Sequence, residues 1–155
     1  VDYKLNVREA TPEDIPYLAE NIRDADRREL EGVSGLSPQE AFRISYEITK
    51  DPFTVASPEG NPLLMGGVVP SSEDRQGVVW MMGTDGIRDY TMEFLRRSKD
   101  VLSMVSKDYD LIYNIVDKRN TLHTTWMCWL GFKFIRDIPK YGAGNINVLE
   151  FARII

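Results

Sequence analysis

The chain has 155 residues, 43% apolar and 28% charged, a balance that suits one soluble globular domain over residues 1–155. Its net charge of -5 argues against nucleic acid or an anionic membrane surface as the main partner, and no run approaches the roughly 18 apolar residues needed to span a bilayer. One cysteine, Cys128, and one histidine, His123, are too few for a usual zinc site, so no metal, a reduced buried thiol and a cytosolic setting without a secretory signal are expected.

Residues 4–10 alternate Leu5 and Val7 with polar neighbours, which predicts a strand with one buried face. Thr11, Pro12, Glu13 and Asp14 then supply an N-cap, a proline for the first turn and acidic residues at the positive end of a helix. That helix is read from Pro12 to Leu30, with Asn21 as the place where it can break. Asp26 and Glu29 lie three apart and share a helix face, either as a solvated stripe or as a pair that holds a cationic acceptor. Ser37, Pro38 and Glu40 form a capping box that starts a second helix carrying Ala41, Ile44 and Ile48.

Three strands follow at 53–57, 63–69 and 78–82, the last apolar without alternation, as suits a strand covered on both faces. Residues 83–86 break the pattern, and apolar residues at three-and-four spacing from Ile87 to Val105 predict a long amphipathic helix. Residues 111–116 read as a buried strand. Asn120 and Thr121 then act as caps for a helix carrying Leu122, Trp126, Trp129 and Leu130, which stops at Gly131. Strands at 133–137 and 146–151, joined by a turn at 139–145, close the sheet. Trp80, Trp126 and Trp129 are expected in the core.

The spacing of Asn120 to Gly131 and Phe132, after a buried strand, resembles the second half of the acyl-CoA-binding core of the Gcn5-related N-acetyltransferases. The order β-α-α-β-β-β-α-β-α-β-β matches that superfamily over nearly the whole chain. The implied fold is a mixed α/β domain with a mostly antiparallel central sheet flanked by helices. The resemblance implies acetyl-CoA as cofactor if the protein is active, with Met82, Gly83, Thr84, Gly86, Arg88 and Asn120 lining its site. Asp26 and Glu29 would lie toward the acceptor.

Two features depart from the superfamily's pattern. The seventh position after Asn120, where many relatives place a tyrosine acid, is Met127, which has no proton to give. Asn120, His123 and Tyr113 are the remaining catalytic candidates, with Tyr90 a further substitute acid. The expected diphosphate loop, residues 82–90, is short and carries Asp85 and Asp89, whose charges oppose an anion.

A narrower resemblance rests on Ala25, Asp26, Glu29 and Leu30, on Trp80 with Gly83, Thr84 and Asp85, on Tyr113 and Asn114, and on Asn120 through Phe132. It is to small proteins of short-tailed bacteriophages and prophages, related to the internal virion protein needed to assemble the phage interior. This implies a phage or host protein as partner, and a place in the host cytoplasm or inside the particle. Two functions compete: a virion-assembly or accessory protein that keeps the scaffold as a recognition module with an eroded acyl-CoA site, and an active N-acetyltransferase that modifies a host or phage protein. The first is preferred, because both the acid position and the phosphate loop depart from pattern.

Overall fold

A computed structural model describes residues 2–155. Its centre is a seven-stranded sheet formed by β1 (Asn6–Glu9), β2 (Lys50–Ala56), β3 (Pro62–Pro70), β4 (Gln76–Gly83), β5 (Leu111–Asp117), β6 (Lys133–Tyr141) and β7 (Ile146–Ile154), in the order β1-β2-β3-β4-β5-β7-β6. Every neighbouring pair is antiparallel except β4 and β5. The mixed α/β sheet expected from the sequence is present.

The β4–β5 pair is what builds a site. These strands pair only through Gln76, Gly77 and Val78 against Leu111, Ile112 and Tyr113. Beyond that point both continue, β4 to Gly83 and β5 to Asp117, without pairing to each other. The result is a V that opens toward the C-terminal ends of both strands.

Helices cover both faces. On one side lie α1 (Ile15–Glu20), α2 (Asp24–Val33) and α3 (Pro38–Ile48), where Ile15, Leu18 and Phe42 pack with Met65 and Met82. On the other lie α4 (Thr91–Ser106) and α5 (Thr121–Trp129). Phe94 and Trp126 pack there with Leu64 and Ile87, while Leu102 and Met127 pack with Ile112, Val116 and Phe151.

The helix expected from Pro12 to Leu30 is three pieces: a 3-10 turn at Pro12–Asp14, then α1 and α2. The break lies at residues 21–23 because that segment docks on the end of β4. Ile22 bridges Thr84, and the Arg23 N–H donates to the Gly83 carbonyl at 2.9 Å. The helix expected from Ile87 likewise begins as a 3-10 turn, Asp85–Tyr90, and becomes α-helical at Thr91. The two C-terminal strands run longer than expected, leaving a shorter turn between Tyr141 and Ile146.

Two end signals act as the sequence predicts. Ser37 Oγ accepts from the Glu40 N–H at 3.3 Å. Gly131 has φ +85°, and the Phe132 N–H reaches the Met127 carbonyl at 3.0 Å in a Schellman cap. Three other expectations are corrected. Asn120 begins α5, yet its side chain makes no capping bond. Cys128 is exposed on the outer side of α5. Trp129 is 47% exposed and lies along α4, its Nε1 donating to the Leu95 carbonyl at 3.1 Å.

β6 is an edge strand with nearly every residue exposed, a register irregularity between Phe134 and Arg136, and Pro139 within it. Phe42 has no exposed surface, so Phe42→Ala should cost about 3–5 kcal/mol in urea unfolding. Ile135→Ser, at a residue 57% exposed, should stay within about 0.5 kcal/mol of wild type.

Candidate functional site

At the vertex of the V, Asn114 stands in for a missing rung of the ladder. Its Nδ2 donates to the Val79 carbonyl of β4 at 2.7 Å, and its Oδ1 accepts from the Ile115 N–H of β5 at 2.7 Å. Further along, α2 supplies a cap to each diverging strand. Asp26 Oδ2 accepts from the Gly83 N–H of β4 at 3.0 Å, and Glu29 Oε1 accepts from the Asp117 N–H of β5 at 2.7 Å. Their three-residue spacing lets one helical turn straddle the gap. Met81 lies between Val79 and Gly83 on the same strand edge, beyond the last residue that β4 pairs with β5.

Asp26 is 3% exposed and joins more than β4. Its Oδ1 accepts from Arg23 at 3.1 Å and from Asn120 Nδ2 at 3.0 Å. A carboxylate accepts only, so the Asn120 amide nitrogen must face it, and the Asn120 orientation is fixed. The same nitrogen lies 3.4 Å from His123 Nδ1. An amide nitrogen only donates, so His123 accepts at Nδ1 and carries its proton on Nε2. Burial holds His123 below the usual imidazole value, Arg23 pushes in the same direction, and Asp26 opposes them.

Among the described residues, Glu29 has no cationic partner comparable to Arg23 beside Asp26 or Arg119 beside Asp117. Enclosure of its carboxyl group, together with the charges of Asp26 and Asp117, pushes its pKa up to about 8, against the stabilising Asp117 N–H and Asn120 amide. At neutral pH the group is therefore mostly protonated. Asn120 Oδ1 is buried with no donor from another group among the described residues.

Between the diverging strands lies a cavity of about 210 Å³, lined by Glu29, Trp80, Met81, Phe94, His123 and Met127 among others. The structure thus brings Asp26, Glu29, Asn120 and His123 together at one cleft. Tyr113 sits lower, in the paired part of β5 opposite Val78, and is not in the cavity wall. Tyr90 closes the 3-10 turn before α4 and is not in that wall either. Sequence reasoning missed Arg23 and Asn114. Only the break it allowed near Asn21 pointed toward the first. Among the described residues, no group of His, Cys, Asp and Glu side chains is arranged to hold a metal ion, and no helix is long and apolar enough to cross a membrane.

No family model and no curated protein sequence matches the chain. Solved structures do. A GCN5-related N-acetyltransferase from Kribbella flavida aligns with a TM-score of 0.72 at 16% identity, covering 98% of each chain. Ard1 from Thermoplasma volcanium aligns with 0.74 at 13% identity over 99% of each chain. Ribosomal-protein-S5-alanine acetyltransferase from Vibrio fischeri aligns with 0.67 at 15% identity, covering 99% of this chain and 94% of that one. The fold is that of the Gcn5-related N-acetyltransferases.

In an acetyltransferase fold, the loop after β4 is where backbone N–H groups are expected to receive the acyl-CoA diphosphate. Here three of those groups are engaged. Besides Gly83, the Thr84 N–H donates to the Leu63 carbonyl at 2.8 Å and the Ile87 N–H to the Thr84 carbonyl at 3.4 Å. Met82, Gly83 and Thr84 are buried, and a side chain at Gly86 would meet Leu63 at 2.9 Å. Arg88, exposed, sits 3.9 Å from Asp85. Gly83 and Thr84 thus have no free N–H for a diphosphate, and Asp85 sets a negative charge beside Arg88.

Glu29 also sets a pH dependence. It keeps its proton to about pH 8 in the folded protein and releases it near the ordinary 4.5 in the unfolded chain, so stability falls as pH rises between those values. Glu29→Gln keeps an acceptor for the Asp117 N–H and carries no titrating proton. Its melting temperature should exceed that of wild type by an amount that widens from about pH 5 to about pH 8. A difference that stays constant over that range would show that Glu29 does not hold the extra proton.

Proposed function

We propose that this chain is an acetyltransferase-fold recognition protein in which the protein's own side chains take the strand-edge donors of the acyl-CoA cleft, acting in the assembly of a short-tailed bacteriophage's interior. The observation that carries the first half is the Asp26 to Gly83 contact at 3.0 Å, which takes a strand-edge N–H at the place where the cofactor would bind. Met127 at the acid position supports the same reading, since a thioether cannot protonate a departing thiolate. The assembly setting rests on the sequence resemblance of residues 25–30, 80–85 and 120–132 to small phage proteins, and it implies a protein partner of phage or host origin.

A second reading is favoured by one group. Glu29, with a pKa of about 8, stands in the cavity wall and would serve an N-acetyltransferase as the base for an amine acceptor. Acetyl-CoA separates the two readings. A ligand at about 100 times its dissociation constant stabilises a protein by about 2.7 kcal/mol. The recognition reading expects the melting temperature to stay unchanged at about 0.5 mM acetyl-CoA. A clear rise, with acetylated protein detected by mass spectrometry, would favour the enzyme. For the setting, removal of the gene from an encoding phage should give particles deficient in their interior proteins, and particles of normal composition would overturn that part.

A further inference from the structure

The helices around the cleft are attached in different ways. α3 buries Ala41 and Phe42, α4 buries Phe94 and Leu102, and α5 buries Trp126 and Met127. α2 buries only Asp26 and Gly32. Its Leu30 and Val33 are half-buried and form part of the cavity wall.

What holds α2 to the sheet is mainly polar. Asp26 and Glu29 accept from Gly83 and Asp117 at 3.0 and 2.7 Å. At its C-terminal end, the Gly32 and Val33 carbonyls accept from Gly144 and Ala143 in the β6–β7 turn at 2.9 and 3.3 Å. Such bonds are exchanged for bonds to water on opening, so their net contribution is modest. A large, fully buried apolar side chain has no such exchange partner in water, and α2 has none. The segments flanking α2 can absorb a rotation: residues 21–23 are non-helical, and Gly35 has φ +71°.

We propose that α2 is a lid over the β4–β5 cleft, opening as a unit and held shut by Asp26 and Glu29 on one N–H of each diverging strand. Opening widens the cavity and releases the Gly83 and Asp117 N–H groups and the Asn120 amide, so an incoming ligand that takes their place must bring acceptor oxygens. The proposal rests on the Asp26 and Glu29 contacts that the recognition reading also uses.

Native-state hydrogen exchange of the full chain, followed by NMR, tests it. The Gly83 and Asp117 amides should exchange together with those of α2, with protection about 100-fold or more below that of Val55 and Ile112. Ile115, held by Asn114 from β5 itself, should remain with the strands. Glu29→Ala should lower the protection of Asp117 further and leave Ile115 unchanged. Exchange of Gly83 and Asp117 only alongside Val55, through global unfolding, would overturn the lid. So would Ile115 joining the α2 opening, because the break would then lie in β5. The acetyl-CoA melting experiment fails separately: a rise there together with a shared α2 opening would sink the recognition reading and leave the lid standing.

Discussion

Everything bordering the cleft converges on one buried carboxylate. Asp26 accepts from the Arg23 guanidinium, the Asn120 amide and the Gly83 backbone, and so joins the α1–α2 connection, the start of α5 and the end of β4. Taking that charge out of water is expensive, and only a full set of donors offsets the cost. Once the set is complete, removing any donor leaves a buried charge short of a partner. The positions of Arg23, Asn120 and Gly83 are thereby tied to one another although they lie far apart in the chain.

The same geometry explains why the cleft carries two carboxylates of opposite character. Asp26 is matched by Arg23 at 3.1 Å. Glu29, one turn away, faces the charges of Asp26 and Asp117 without a cation of its own and is driven toward its neutral form. His123 is held neutral on the other side of Asn120. At neutral pH the cluster therefore consists mainly of one compensated ion pair surrounded by neutral polar groups. That arrangement is compatible with an apolar cavity alongside it.

The strands, their order and the helix ends built from local signals could be read from the sequence. The Ser37 cap and the Gly131–Phe132 Schellman cap involve residues within a few positions of each other, and both formed, although Glu40 accepts from the Ser37 hydroxyl and not from its backbone N–H as a full capping box would. What escaped reading depends on contacts across the chain. Asn120 resembles a helix cap, but its side chain is claimed by Asp26, 94 residues away. Glu29 looks like part of a solvated helix face, but it caps a strand 88 residues away. Helix propensity at residues 21–23 lost to docking on β4. Of the candidate residues, the sequence grouped Asp26 with Glu29 and Asn120 with His123, but nothing local showed that the two pairs share one cleft.

The outer border of the sheet has a consequence of its own. Along β6, the register irregularity beside Ile135, the missing N–H of Pro139, and charged Lys133 and Lys140 interrupt the row of groups that another chain would need for pairing. The sheet ends there in a strand whose broken row of donors and acceptors disfavours the addition of a further strand from a neighbouring molecule.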